Sequence, residues 1–340
     1  MRTALTIATV VGVLVLIGLG VYFTSDRTGD DVAGRADTDT AASADPGTDT
    51  TTAATPIVVQ DARGEEFVFD TPPQRIAALS ADALETLIAL GVMPVARFED
   101  PSFYPPQAES IPTVARSHAV PPDIELLISQ DPDLILLHWV YRGHAEEVNR
   151  LVGCPVMVMQ TNNLADVRAN FELLGKITGK AEQSAALMAD LSRTIAWMSD
   201  HQPAGDQPVA LSLLGQEDTW YAHRNNHFMG SLLTAAGAQN AAGEDEAHSR
   251  YRSLAPIDLE RVIQADPEVI FIIPYAEVSE QLIRDNFNNH PATQSLAAVR
   301  NGRVHVLPYT LYSSQPGPRT GQALRDLYRL LYPDQPGPDW

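Results

Sequence analysis

Residues 123–137 read DIELLISQDPDLILL, and residues 258–272 read DLERVIQADPEVIFI. When the two stretches are aligned without gaps, both have a leading Asp, a Glu two residues later, an Asp-Pro pair, a further acidic residue and an apolar run. Such self-similarity indicates the internal duplication of one structural unit. The chain is therefore predicted to contain two similar lobes.

Each copy of the repeat predicts a short helix that leads into a buried strand. Apolar residues recur at helical spacing before the Asp-Pro pair, and the residue before a proline is disfavoured in the α region, so the helix ends there. The uninterrupted apolar run that follows is typical of a parallel strand covered on both faces. The predicted fold class is α/β, with two Rossmann-like lobes.

A long helical region is predicted between the two repeats. Apolar residues recur through residues 164–198, and strong helix formers lie between them. The predicted segments are an N-terminal lobe at 57–163, a single long linker helix at 164–200 and a C-terminal lobe at 201–340. Because such a helix is stiff, we expect only a small closure of the ligand cleft between the lobes.

The N-terminus has the composition of a membrane segment. Residues 4–23 are apolar, over roughly the 20 residues that a helix needs to cross a bilayer. Residues 1–24 are interpreted as an uncleaved anchor, and the alternative is a signal segment cleaved near the small residues 41–44. Either way Arg2 stays inside and the rest is exported. The expected location is periplasmic or extracytoplasmic, tethered to the inner membrane or secreted after cleavage.

Composition limits the remaining classes of partner. Residues 25–56 are rich in Asp, Thr, Ala, Gly and Ser, which predicts a disordered tether. The formal net charge of −20 argues against nucleic acid and anionic membrane surfaces as partners. The one cysteine, Cys154, allows no internal disulfide, cannot serve as an N-terminal lipid attachment site, and is predicted to be buried in a strand. A monomer is expected.

The ordered motifs of the globular part resemble one family, the substrate-binding proteins of ABC importers for iron–siderophore complexes, haem and vitamin B12, in the class with a helical backbone. The motifs are Arg75-Ile76-Ala77 through Ser80, Glu85 to Gly91, the paired Asp-Pro units, Phe171 to Gly179, Phe228 to Asn240, Leu296 to Val304 and Tyr332-Pro333. The resemblance implies a binding protein without catalytic activity. It would deliver a small-molecule metal complex to a permease dimer that has a cytoplasmic ATPase.

The resemblance also implies one permease-docking carboxylate in each lobe, at Glu125 and Glu260. A pseudo-symmetric protein that meets a two-fold permease needs one anionic contact per lobe, and charges at the rim steer association. The alternative is that both are ordinary acidic residues in the first turn of a helix, where the helix dipole favours them.

Ligands of open parallel sheets bind beyond the carboxyl ends of the strands, where aromatic residues are concentrated in this chain. This composition favours a large, flat or apolar ligand held by stacking and a few polar contacts. For Trp139 and Trp220, packing between the lobes is an equal alternative. The predicted ligand-binding residues are Ser80, Arg116, His118, His138, Trp139, Tyr141, Trp220, Tyr221, Arg224, Tyr275 and Tyr312.

Three ligands compete for this site, and no resident cofactor is predicted. A siderophore-type iron complex ranks first, because it is anionic and arginines such as Arg116, Arg142 and Arg224 could meet it. Haem would need an axial Tyr or His, for example Tyr141 or His138. Cobalamin would need mostly aromatic walls with few charges.

Other classes of function have weaker support. His223 and His227 have the spacing of a helical metal pair, but the residues between them are typical of a turn, so no metal site is predicted. The sequence contains no nucleophile elbow, P-loop, zinc-protease helix or paired-cysteine site. A membrane-tethered hydrolase that uses Asp82 and His118 is one alternative. A ligand-binding sensor or scaffold is the other.

Overall fold

The two copies of the repeat occupy equivalent places in two separate sheets. The structure is a computed structural model. It describes residues 55–99, 105–115, 121–205, 207–216, 219–243, 245–249, 252–274, 280–312, 317–338 and 340. The predicted anchor and nearly all of the predicted tether lie outside these ranges. Within them, no helix is both long and apolar enough to cross a membrane.

The N-terminal lobe contains a parallel five-stranded sheet in the order β5-β4-β3-β6-β7. A separate antiparallel hairpin, β1-β2, precedes it. Short 3-10 turns cover Pro106–Ser110 and Trp139–His144. The elements are β1 Ile57–Gln60, β2 Glu66–Phe69, β3 Ile76–Leu79, α1 Ala81–Ala89, β4 Ala96–Phe98, β5 Thr113–Ala115, α2 Ile124–Ser129, β6 Leu134–His138, α3 Ala145–Val152 and β7 Val156–Met159.

Two linker helices lead into the C-terminal lobe, whose main strands follow the order β11-β9-β8-β12-β13, with β10 paired to β8. The linker helices are α4 Leu164–Ile177 and α5 Ala181–Asp200. The lobe elements are β8 Val209–Gln216, β9 Thr219–His223, α6 Phe228–Ala235, β10 Gln239–Asn240, β11 Leu254–Ile257, α7 Leu259–Ala265, β12 Val269–Ile273, α8 Glu280–Asn289, α9 Ala297–Arg300, β13 Val304–Val306, α10 Tyr309–Tyr312 and α11 Thr320–Leu331.

The predicted duplication is confirmed by the positions of the repeat in the two sheets. Helix α2 lies between β5 and β6, and α7 lies between β11 and β12, which hold the first and fourth places of their sheets. The lobes differ in strand direction, since β9 runs antiparallel to β8 whereas β4 runs parallel to β3. The second lobe is therefore a mixed sheet rather than an all-parallel one.

The acidic residue after each Asp-Pro pair has the same structural role in both copies of the repeat. The Asp133 carboxylate accepts hydrogen bonds from the backbone N–H groups of Gln74 at 2.7 Å and Arg75 at 2.9 Å, just before β3. The Glu268 carboxylate accepts one from Val209 N–H at 3.1 Å, at the start of β8. In both lobes the carboxylate therefore fixes the start of the neighbouring central strand.

The linker differs from the predicted single helix, because it breaks between α4 and α5. Gly179 has a φ of +67°, a left-handed conformation that ends a helix and favours glycine. The two helices meet closely after the turn, and the Ser184 hydroxyl donates to the Phe171 carbonyl at 2.6 Å. The apolar spacing continues across the break, so periodicity alone predicted one helix.

Both sheets are covered on both faces by apolar clusters, as expected for buried parallel strands. All four residues of β3 and all five residues of β12 are buried. Cys154 is also buried, as predicted, and belongs to one cluster of the N-terminal lobe. Burial raises the pKa of its thiol to about 11, so the group is protonated at neutral pH.

Candidate functional site

The carboxyl ends of the parallel strands are called the ligand end of each lobe. In the N-terminal lobe, Ser80 follows β3, is buried, and its hydroxyl contacts the Asp82 carboxylate. His138 ends β6, and its Nδ1 accepts from Val140 N–H at 3.3 Å. Trp139 is partly buried, and the Arg142 guanidinium lies 4.6 Å from its ring centroid. Trp139 and Arg142 thus form a stacked pair at this ligand end.

Tyr141 lies at the same end but points into the core. Its side chain is 3% exposed and belongs to the apolar cluster on one face of the N-terminal sheet. Burial raises its pKa to about 12, which disfavours the tyrosinate that would ligate a haem iron. In this conformation Tyr141 is a packing residue.

In the C-terminal lobe, the antiparallel direction of β9 decides which predicted residues reach the ligand end. Trp220, near the start of β9, pairs with Gly215 near the end of β8 and is partly buried, with its ring 6.1 Å from that of Phe287. Tyr221 follows, with its ring 5.4 Å from that of His248. Trp220 therefore lies at the ligand end of its lobe but on β9, whereas Trp139 follows β6, so the two tryptophans are not at equivalent positions of the duplication.

Arg224, which the sequence placed among the ligand-binding residues, lies at the opposite end of its sheet. Because β9 runs antiparallel, it carries Arg224 away from the ligand end, toward the start of β8. There the guanidinium donates to the carbonyls of Asp245 and Arg252, each at 2.8 Å. Arg224 therefore ties loops together at the opposite end of the sheet.

The remaining predicted site residues are either in the core or outside the described ranges. Tyr312 is buried among apolar residues of the C-terminal lobe, and its hydroxyl donates to the Ala323 carbonyl at 3.3 Å. Burial raises the pKa of Tyr312. Arg116, His118 and Tyr275 lie outside the described residues.

His223 and His227 form a contact rather than a recognisable metal centre. Their ring centroids are 4.3 Å apart, His223 Nδ1 is 2.8 Å from the Ser212 hydroxyl, and His227 Nδ1 accepts from Met229 N–H. Nε2 of His223 is buried and lacks a hydrogen-bond partner. Among the described residues, no group of three or more His, Cys, Asp or Glu side chains could hold a metal. The pair is best described as two packed neutral imidazoles.

This pair should make the folded state sensitive to acid. Burial lowers the pKa of His227 to about 4 and that of His223 well below its usual 6.5. The unfolded chain takes up these protons below pH 6.5 while the folded chain does not, so stability present at pH 7 is lost as the pH falls. For the fully buried His223, the loss approaches about 1.4 kcal/mol per pH unit.

The measurement is urea unfolding at pH 7, 6 and 5. His227→Asn is the matched variant, because asparagine keeps the helix N-cap but does not titrate. We expect a shallower loss of stability in His227→Asn than in the unmodified chain. Equal slopes for the two proteins would contradict the assignment.

Sequence reasoning named Asp82 and Glu85 of α1 but missed their contacts with the linker and with the C-terminal lobe. The Asp82 carboxylate accepts from the Thr161 hydroxyl at 2.5 Å and from the Asn170 amide of α4 at 3.4 Å. Burial raises the pKa of Asp82, and the hydrogen bonds from Ser80 and Thr161 oppose that shift. The carboxylate is thus enclosed in structural hydrogen bonds.

One turn further along α1, Glu85 receives Arg319 from the start of α11. Arg319 donates Nε to Oε2 at 3.0 Å and Nη2 to Oε1 at 2.6 Å. The Glu85 side chain is 9% exposed and that of Arg319 is 27% exposed. This pair, called the interlobe bridge below, links the two lobes directly. Glu85 was visible in the sequence motif, but its partner lies 234 positions away and no local pattern marks it.

Glu125 and Glu260 both lie on exposed surfaces in the first turns of α2 and α7. The preceding aspartates cap these helices in the same way, Asp123 accepting from Leu126 N–H at 3.0 Å and Asp258 from Arg261 N–H at 2.9 Å. The two carboxylates therefore have equivalent local settings.

Comparison with known proteins gives consistent results. A family model described as periplasmic binding protein matches residues 76–311. A cobalamin-binding protein of Halobacterium salinarum is 26% identical over 273 residues, covering 78% of this chain and 71% of that protein. An uncharacterized ABC transporter substrate-binding lipoprotein of Bacillus subtilis is 21% identical over 82% of this chain and 86% of that protein.

A solved siderophore-binding protein, bound to ferric iron and two acinetobactin molecules, has the same fold. It has a TM-score of 0.66 and 23% identity, and the match covers 82% of this chain and 99% of that one. These findings confirm the family resemblance and the two-lobed α/β fold. The family model spans more than half of the residues of this chain. The chain therefore belongs to the periplasmic binding protein family, whose members bind and deliver ligands for transport.

Proposed function

We propose that this chain is the extracytoplasmic substrate-binding component of an ABC importer, and that its cargo is a corrinoid of the cobalamin type. The observation that carries the proposal is the placement of one partly exposed tryptophan at the ligand end of each lobe, Trp139 and Trp220. Two aromatic walls from opposite lobes suit a large, flat ligand held mainly by stacking. An N-terminal anchor at residues 1–24 remains part of this proposal.

The choice of a corrinoid over the siderophore rests on charge. Arg224 is committed to loop carbonyls at the far end of its sheet, which removes one of the cations that favoured an anionic iron complex. The burial of Tyr141 and its raised pKa weaken the case for haem. The similarity to a cobalamin-binding protein over 78% of the chain agrees with this ranking.

A siderophore-type iron complex is the second candidate, and Arg142 supports it. Its guanidinium lies at the ligand end of the N-terminal lobe, stacked on Trp139. A guanidinium in this position can pair with an anionic chelate. The siderophore-binding neighbour with the same fold is consistent with this alternative.

The test is a fluorescence and absorption titration of the purified chain with cyanocobalamin, haemin and a ferric siderophore in separate experiments. We expect saturable quenching by cyanocobalamin, because the cargo stacks on Trp139 and Trp220. Trp139→Leu and Trp220→Leu should each weaken binding about tenfold, since stacking on one aromatic wall contributes about 1.4 kcal/mol.

Trp340→Leu is the matched control, because Trp340 packs against Trp197 and Arg193, away from both ligand ends. It should leave the affinity unchanged. Saturation by the ferric siderophore alone would replace the corrinoid with the second candidate. No saturation by any of the three would refute the metal-complex cargo.

A further inference from the structure

Two isoleucines occupy the same position in the two copies of the repeat and are exposed in both. Ile128 of α2 is 46% exposed and Ile263 of α7 is 40% exposed. The surrounding residues show the same pattern of exposure in both helices. In residues 125–129 only the middle residue is buried and the other four are exposed, and residues 260–264 repeat this pattern. Leu127 and Val262 are the buried residues of this pattern, and each belongs to an apolar core cluster of its lobe.

Neither isoleucine belongs to an apolar core cluster of the described residues. A single exposed apolar residue is ordinary on a protein surface. A β-branched residue is also a weaker helix former than alanine, leucine or glutamate. The same exposed isoleucine on both pseudo-symmetric lobes, however, matches a partner that presents the same pocket twice.

Each isoleucine shares a helix face with an exposed carboxylate. Glu125 precedes Ile128 by three residues, and Glu260 precedes Ile263 by three residues, which places each pair side by side on its helix. An exposed apolar group next to an exposed anion is complementary to an apolar pocket beside a cation. The duplication then requires two such pockets related by two-fold symmetry.

We propose that Ile128 and Ile263 are contact residues for a two-fold symmetric partner, each inserting into an apolar pocket next to the cationic group that meets Glu125 or Glu260. This inference rests on the proposed function, in which that partner is the permease dimer. It adds an apolar component to a contact otherwise described by charge alone. The isoleucines supply affinity, and the glutamates supply orientation and rate of association.

The two contacts differ in one neighbouring residue. Position 126 is a leucine that is 38% exposed, whereas the equivalent Arg261 pairs with the Asp245 carboxylate at 2.5 Å. The N-terminal contact therefore offers more apolar surface. Accordingly, Ile128→Ser should weaken binding less than Ile263→Ser, because Leu126 can keep part of the apolar contact.

The experiment measures binding of the full chain to its own permease–ATPase complex, reconstituted in lipid nanodiscs, with ATPase stimulation as a second readout. Ile128→Ser combined with Ile263→Ser should weaken binding about a hundredfold, with the larger share from Ile263→Ser. Because affinity here comes from apolar burial, the loss should persist at high salt. Glu125→Gln combined with Glu260→Gln should instead lower the rate of association and its salt dependence.

Val58→Ser combined with Val68→Ser is the matched control. These valines are 41% and 57% exposed and pair across the hairpin β1-β2, outside α2 and α7. The control should bind like the unmodified chain, and all variants should keep the cyanocobalamin affinity of the unmodified chain.

The outcomes separate the two proposals. If the isoleucine variant binds the permease as well as the control does while the glutamate variant is weakened, the apolar contact is refuted and the importer role stands. If the unmodified chain binds cyanocobalamin but does not bind the permease, the importer role fails and this inference fails with it.

Discussion

Arg319→Met should lower the free energy of unfolding by about 3 kcal/mol, because it removes the guanidinium from the interlobe bridge. Glu85 is nearly buried, and both of its carboxylate oxygens accept from Arg319. Removing one partner of a buried pair leaves a charge with poor solvation, which is far more costly than losing an exposed pair. Urea unfolding at pH 7 measures the effect.

Arg193→Met is the control for that experiment. Arg193 pairs with Asp190 at 2.6 Å, but its side chain is 61% exposed, so we expect a loss below about 1 kcal/mol. A double-mutant cycle of Arg319→Met with Glu85→Gln isolates the direct coupling between the two residues. A coupling energy close to zero would mean that the bridge does not hold the lobes together.

Gly230→Ala should be at least as damaging, with an expected loss of more than about 3 kcal/mol. A Cβ atom at position 230 would lie 1.9 Å from the Arg224 carbonyl oxygen and 2.6 Å from the Arg224 carbonyl carbon. Both are backbone atoms of the turn that leads into α6, so no side chain can rotate away. The first turn of α6 would have to separate from that turn.

Gly143→Ala is the matched control, since a Cβ atom at position 143 would meet no atom within 4 Å. It should leave the midpoint of thermal unfolding within a few degrees of the original, as is usual for an accommodated surface substitution. Circular dichroism during heating compares the two variants. A Gly230→Ala protein as stable as Gly143→Ala would show that α6 can shift at little cost.

The duplicated stretch was sufficient to predict two similar lobes, because its helix, its Asp-Pro stop and its apolar strand can each be recognised from neighbouring residues. An acidic residue after Asp-Pro fixes the start of a neighbouring strand in both lobes, through Asp133 and Glu268. The apolar runs that follow became the buried strands β6 and β12. Apolar periodicity could not locate the break at Gly179, because the same spacing continues on both sides of the turn.

The ligand end was harder to predict, because it depends on strand direction and on contacts between distant residues. Trp139 and Trp220 lie at the ligand ends of their lobes, but Arg224 does not, since β9 runs antiparallel to β8. Tyr141 lies in the 3-10 turn after β6, where no alternating pattern sets the direction of a side chain, and its side chain packs in the core. The pairing of Glu85 with Arg319 left no local sequence signal.

Cys154 makes the protein convenient for distance measurements by site-specific labelling. It is the one cysteine of the chain, it is buried, and its thiol has a pKa of about 11. Maleimide and methanethiosulfonate reagents are electrophiles that react with the thiolate form of cysteine, so this position should stay unmodified while two exposed engineered cysteines react. Spin labels placed on Met93 in one lobe and Gln335 in the other, with or without cargo, can therefore report interlobe distances without a cysteine-free background. They would show directly whether the interlobe bridge keeps the empty protein in the conformation of the loaded one.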